Sequence, residues 1–222
     1  MDAPMALAVR LRDAVALSGR FPLLTGATLE VDEGEVAHVR GPNGAGKTSL
    51  LRLLAGLVPL HSGTAEVLGH DLSLDRRSVR RSIGMLGHSG FLYDELTVAE
   101  NLNYAVRAAG GEVQRVPSAL VRLGLAGRLE KTAVGRLSAG QRRRAALCVL
   151  VARDPLLWLL DEPHAGLDEE GRAVLDELIA ETRTRGRTVL LCSHEHELAE
   201  ALSDRVVHLA GGRVLKEPAG VA

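Results

Sequence analysis

The sequence predicts an α/β domain with a mostly parallel sheet, an antiparallel β edge and an inserted helical subdomain. First, Gly41-Pro42-Asn43-Gly44-Ala45-Gly46-Lys47-Thr48 lies between a short apolar segment, Val36 to Val39, and leucines at helical spacing, Leu50, Leu51, Leu53 and Leu54. Second, the apolar runs Leu156 to Leu160 and Thr188 to Cys192 each stop at a polar cluster, the pattern of parallel strands buried on both faces. Third, from about Ser89 to Arg144 the apolar runs give way to helical patterns punctuated by Gly110-Gly111, Gly124 and Gly135.

Taken in order, Val36 to Val39 reads as a strand, residues 41–46 as a glycine loop, and the leucines as a helix stopped by Gly56 and Pro59. Leu156 to Leu160 leads to Asp161-Glu162-Pro163. Glu169 to Arg183 then sets Val174, Leu175, Leu178 and Ile179 on one face with charges opposite, a crossover helix to the next strand. That strand ends at Ser193-His194-Glu195. Arg205 to Ala210 and Arg213 to Leu215 flank Gly211-Gly212, a hairpin at a sheet edge. The first few residues and the tail 217–222 are expected to be disordered.

At 222 residues with 46% hydrophobic side chains, a single domain fits better than two. Its α/β core is expected over 1–87 and 145–222, with the helical subdomain over 88–144. Lys plus Arg is 27 against 28 for Asp plus Glu, a net charge of −1, so no global field favours nucleic acid or anionic lipid. The apolar runs fall short of the ~20 residues that cross a bilayer, and Met1-Asp2-Ala3-Pro4 does not begin a secretory signal; the expectation is a cytosolic chain. Cys148 and Cys192 have no Cys-x-x-Cys or metal-like spacing and read as reduced core residues.

Gly41, Gly46, Lys47 and Thr48 complete Gly-x4-Gly-Lys-Thr in a strand–loop–helix context, the mark of a phosphate loop. Its glycines let the N–H groups of the loop 41–49, Ser49 included and Pro42 excepted, converge on phosphate oxygens at a helix N-terminus. Lys47 neutralises the outer phosphates and Thr48 can ligate magnesium. Asp161 and Glu162 end a strand, where adjacent side chains point to opposite sides. Asp161 is assigned to the metal and Glu162 to the attacking water. Ser138 and Gln141 fit a capping box at a helix start; a plain capped helix and a phosphate grip assisted by Gly140 explain them equally well.

With Leu137-Ser138-Ala139-Gly140-Gln141, Leu159-Leu160-Asp161-Glu162-Pro163, Ala165-Gly166-Leu167-Asp168 and Ser193-His194 following the phosphate loop in that order, the chain resembles the ATPases of ABC transporters over nearly its whole length. The resemblance implies a P-loop NTPase core that hydrolyses ATP with Mg2+. It also implies a head-to-tail homodimer in which Ser138 and Gly140 contact the nucleotide on the partner's phosphate loop, Asp168 lies in the loop joining the two sites, and His194 contacts the γ-phosphate. A membrane subunit would dock beside the helical subdomain, placing the chain on the inner face of the cell membrane. His88 stands where most members have a glutamine that senses γ-phosphate and metal. Phe21 is the one aromatic near the position that stacks on adenine, though it does not align cleanly and core packing explains it as well. Leu86-Gly87-His88, Leu157-Trp158 and the phosphate-loop region are similar to the ATP-binding subunits of the exporter that serves cytochrome c maturation. No Cys-x-x-Cys-His motif occurs, so haem would be handled by partner subunits. Another small exporter, for drugs, lipids or polysaccharide, shares every motif, and a soluble ABC ATPase outside transport is a more distant alternative.

Overall fold

The two central apolar runs become strands only because both their faces are covered. In a computed structural model describing residues 6–87 and 91–215, a six-stranded sheet has the order β10-β9-β3-β8-β7-β6. The strands β3 (Val36–Arg40), β6 (Ile83–Leu86), β7 (Leu157–Asp161), β8 (Thr188–Cys192) and β9 (Arg205–Ala210) run parallel, and β10 (Arg213–Val214) returns antiparallel at the edge. The expected C-terminal hairpin is thus present at the edge of the sheet. The strand expected from Leu156 starts one residue later.

Period-two alternation divides the central strands β3, β7 and β8 between two cores. Leu157 and Leu159 join Ala37, Val39, Leu190 and Cys192 in one; Trp158 and Leu160 join Val36, Val189 and Leu191 in the other. Both cysteines are buried thiols, and desolvation pushes each thiol up from its ordinary range.

The first core is closed by a four-stranded antiparallel sheet, order β2-β1-β4-β5, built from β1 (Leu7–Ser18), β2 (Phe21–Asp32), β4 (Leu60–Val67) and β5 (His70–Asp71). This layer extends the expected antiparallel edge into a second sheet. Between the sheets lies α1 (Lys47–Leu54), whose Leu50, Leu51, Leu53 and Leu54 are fully buried. A short helix α2 (Leu72–Asp75) follows, capped by the Asp71 side chain.

The second core is covered by α6 (Glu169–Thr184) and α7 (His196–Leu202), and by the helices α3 (Val98–Ala108), α4 (Val116–Arg122) and α5 (Ala139–Arg153). Helix α3 carries its own capping box, Thr97 with Glu100, while the buried Asn101 amide ties Tyr93, Leu96 and Thr97 into one loop. Helix α5 runs unbroken across residue 144. It ends at Asp154, a left-handed cap whose carboxylate meets Arg115, Arg185 and Arg187.

His38, fully buried in β3, lies 3.3 Å from the Ser193 carbonyl through Nε2, with the His196 ring 5.8 Å away. Burial holds its pKa below the ordinary value; the Ser193 contact and Glu200 pull it up, and His196 and Arg40 press it down. A histidine depressed in the folded state favours folding fully above its unfolded value of about 6.5, and that contribution is lost as pH falls below it. The melting temperature should therefore drop between pH 7.5 and 5.5, and His38→Gln, which cannot charge, should drop less. Equal drops in thermal melts of the two proteins would contradict this.

Candidate functional site

Gly46 caps α1 in a left-handed conformation, φ 104°, with no side chain over the first turn and no acidic residue in it. The N–H groups at that helix start are left open toward the loop mouth, where the helix dipole favours an anion. Gly41 has no room for a side chain, because a Cβ there would strike the Leu209 carbonyl of β9. Lys47 is nearly buried, its Nζ donating to the carbonyls of Gly41 at 2.7 Å and Pro42 at 3.2 Å. Two of its three protons thus hold the ammonium over the loop, leaving one for a phosphate.

At the end of β7, Asp161 Oδ2 accepts from Thr48 Oγ1 at 2.7 Å. Two hard oxygens side by side beneath the loop fit a magnesium ion, which takes oxygen ligands and keeps some of its waters. Thr48 and Asp161 would hold it, and magnesium there would neutralise charge on the outer phosphates.

Glu162 follows in a left-handed conformation, φ 47°, which turns its side chain away from the strand. Its N–H donates to the Cys192 carbonyl at 2.8 Å. Its carboxylate accepts from the His194 N–H at 3.1 Å and has the His194 ring 3.3 Å from its other oxygen. That second oxygen is buried without a well-aligned donor, so the contact is one of charge and distance, and the oxygen keeps lone pairs for another donor. Pro22, Leu23, Gly46, Lys47, Asp161 and His194 help line a cavity of about 500 Å³ at this point.

The expected site residues fall into two groups. Asn43, Gly44, Ala45, Gly46, Lys47, Thr48, Ser49, Asp161, Glu162 and His194 line this cavity together, while Gly41 and Pro42 hold Lys47 from beneath. Ser138, Gly140 and Gln141 stand apart at the start of α5. There both halves of the capping box form: Ser138 Oγ accepts from the Gln141 N–H at 3.2 Å, and Gln141 Oε1 accepts from the Ser138 N–H at 3.1 Å. Asp168 caps α6 through the Gly171 N–H and is gripped by Arg144 at 2.5 Å; that grip holds its carboxyl below the ordinary range. Phe21 begins β2, beside the lining residues Pro22 and Leu23, and is 78% exposed, so core packing does not account for it. His88 lies outside the described residues.

Sequence reading missed three features. Arg143 and Arg144 look like one basic run, yet the first is buried among backbone carbonyls and the second pairs with Asp168 and Glu170. His164, 1% exposed, bonds Asp176 at 2.7 Å and fixes the turn after Glu162 to α6. The Asp176 position about two turns into a helical pattern gave no hint of this contact.

An open helix start under a glycine loop, with a threonine–aspartate pair and a carboxylate at the adjoining strand ends, defines a phosphate-loop nucleoside triphosphatase. Residues 24–165 match the ABC transporter family. The chain is 40% identical over 201 residues to cytochrome c biogenesis ATP-binding export protein CcmA 1 of Salmonella paratyphi A, covering 90% of this chain and 96% of that one. It is 34% identical over 213 residues to Nod factor export ATP-binding protein I of Rhizobium etli, 95% of this chain and 67% of that one. A solved ATP-binding subunit of an ABC transporter superposes with a TM-score of 0.88 at 28% identity, covering 95% of this chain and 89% of the other. The chain belongs to the ABC transporter family, as an ATP-binding subunit that hydrolyses ATP. Among the described residues no helix is long and apolar enough to cross a membrane.

The close packing at Gly41 gives a direct test. Gly41→Ala should lower unfolding free energy by about 2 kcal/mol, the scale of a forced overpacking, and weaken nucleotide binding with it. Denaturant unfolding that matches the wild type would show that the β9 carbonyl does not confine this position.

Proposed function

We propose that this chain powers haem export for cytochrome c maturation through a separate membrane subunit, working as a head-to-tail dimer on the inner face of the cell membrane. The similarity to CcmA over nearly the full length of both chains supports that cargo. The match to a Nod factor exporter keeps another small exporter as the second reading.

In this reading the N–H groups of the phosphate loop and Lys47 bind and orient the β- and γ-phosphates of ATP. Thr48 and Asp161 hold magnesium. Glu162, its carboxylate steered by the His194 backbone and ring, orients the attacking water and accepts its proton, while His194 also reaches the γ-phosphate. Ser138, Gly140 and Gln141 close over the partner's nucleotide, and Asp168, held by Arg144, joins the two sites. Phe21 stacks on adenine, and His88 reports the state of the γ-phosphate and metal. Residues 1–87 and 145–222 form the nucleotide-binding core and 88–144 the helical subdomain. The observation that carries the hydrolytic assignment is the convergence of Thr48, Asp161 and Glu162 at one strand end.

A second cavity, about 270 Å³, is lined by Leu57, Met85, Phe91, Leu92, Tyr93 and Tyr104 among others. The two tyrosine rings meet edge to face, 5.4 Å apart, beside half-exposed Phe91. By the family resemblance the membrane subunit would dock here, giving ATP-driven closure a grip on the transport path.

Glu162→Gln keeps the shape of the side chain and removes the base. Turnover should fall at least 10²-fold, the scale of a lost general base, while ATP with magnesium still binds and traps a dimer visible by size-exclusion chromatography. In the source organism the variant should fail to restore c-type cytochromes to a strain lacking the chain. Normal turnover would overturn the role of Glu162; c-type cytochromes that persist without the chain would overturn the cargo while leaving the ATPase intact.

A further inference from the structure

Arg143 is the fifth residue of α5, just over one turn beyond the capped Ser138, and is 9% exposed. A buried guanidinium ordinarily meets a carboxylate. This one instead donates to four backbone carbonyls: Nη1 to Gly87 at 2.7 Å, Nη2 to Asp161 at 3.1 Å and to Glu162, and Nε to Pro163 at 3.3 Å. Three of these acceptors are consecutive, and they form the turn that carries both carboxylates of the site. The fourth, Gly87, directly follows β6.

The grip falls where the backbone needs holding. A left-handed conformation costs a residue with a side chain roughly 1–2 kcal/mol, and Glu162 has it. A cavity of about 320 Å³, lined by Ala139, Arg142, Ala146, Ala165 and Gly166 beside Arg143 and the acidic pair, separates the start of α5 from that turn. Beside that cavity the guanidinium bridges directly from α5 to the backbone of residues 161–163, while the neighbouring contacts of the α5 start, Gly140 against the Gly166 carbonyl and Arg144 with Asp168, reach the loop further on. Burial presses the pKa of Arg143 down and the nearby Asp161 and Glu162 charges raise it.

We propose that Arg143 is a positioning residue that couples the Ser138–Gln141 segment to the Glu162 carboxylate of the same chain. The coupling rests on the head-to-tail reading above, in which that segment serves the partner's nucleotide and Glu162 serves its own. A shift of α5 on closing over the partner's ATP is then transmitted to the peptide planes of residues 161–163, and one chain links the two composite sites. Lysine, a point charge with three donors, can hold only part of the set; glutamine still less.

The test is steady-state hydrolysis by the assembled transporter carrying Arg143→Lys or Arg143→Gln. The expected result is a kcat lowered roughly 10–100-fold in Arg143→Gln, the scale of a misplaced catalytic group, with Arg143→Lys intermediate, KM for ATP within about threefold and a Hill coefficient reduced toward one. Melting temperatures should stay within about 4 °C of wild type. If Arg143→Gln melts below the assay temperature, Arg143→Lys must show the same split between kcat and KM, and its absence overturns the proposal. Unchanged kcat and cooperativity in both variants overturn the role of Arg143 alone. A wild-type transporter whose Hill coefficient is one overturns the two-site reading on which the coupling rests.

Discussion

The site depends on one constraint: strands covered on both faces have no place for a charge along their length. All five residues of β7 and of β8 are buried, and their alternate side chains feed two separate cores. Polar chemistry is pushed to where the strands emerge, and in a parallel sheet they emerge together. Register makes this concrete. Asp161 lies level with Cys192, and Cys192 with Val39, so Gly41, Asp161, Glu162 and His194 all project from one edge. Helix α1, wedged between the sheets by four buried leucines, starts at that edge and brings Thr48 against Asp161.

Backbone conformation then divides the work. Gly46 opens the start of α1 to an anion, whereas Ser138 and Gln141 close the first turn of α5 onto their own side chains. Glu162 departs from the strand in the left-handed region, so neighbouring carboxylates face different partners: Asp161 meets a hydroxyl and Glu162 an N–H and an imidazole. Arg144 and Arg143 continue the division, one fixing Asp168 and the other the peptide groups of residues 161–163.

Much of this was legible in the sequence, because the phosphate loop, the acidic strand end, the capping box and the glycine hairpin are local patterns whose chemistry depends on a few adjacent residues. The antiparallel sheet was harder to read. In β1 the alternation of Val9 and Leu11 shifts at Asp13, a positive-φ residue at an irregularity in the pairing with both β2 and β4, and small alanines then fill the core positions. Strand β6 is four residues long and contains Gly84, where a Cβ would press on Leu150 and Pro155; the glycine that weakens its strand pattern is needed for packing. Arg143 was hidden for a different reason. Three successive arginines look like a solvated face, and only tertiary structure reveals that the middle one is enclosed by carbonyls distant in sequence.

The central claim is that α1 and the end of β7 jointly hold the metal through Thr48 and Asp161. A double-mutant cycle of Thr48→Val and Asp161→Asn, read as the magnesium dependence of ATP affinity by calorimetry, tests it most directly. The account predicts that either single change removes most of the magnesium effect and that the pair adds little more, a coupling of about 1 kcal/mol or above. Strictly additive losses would contradict it.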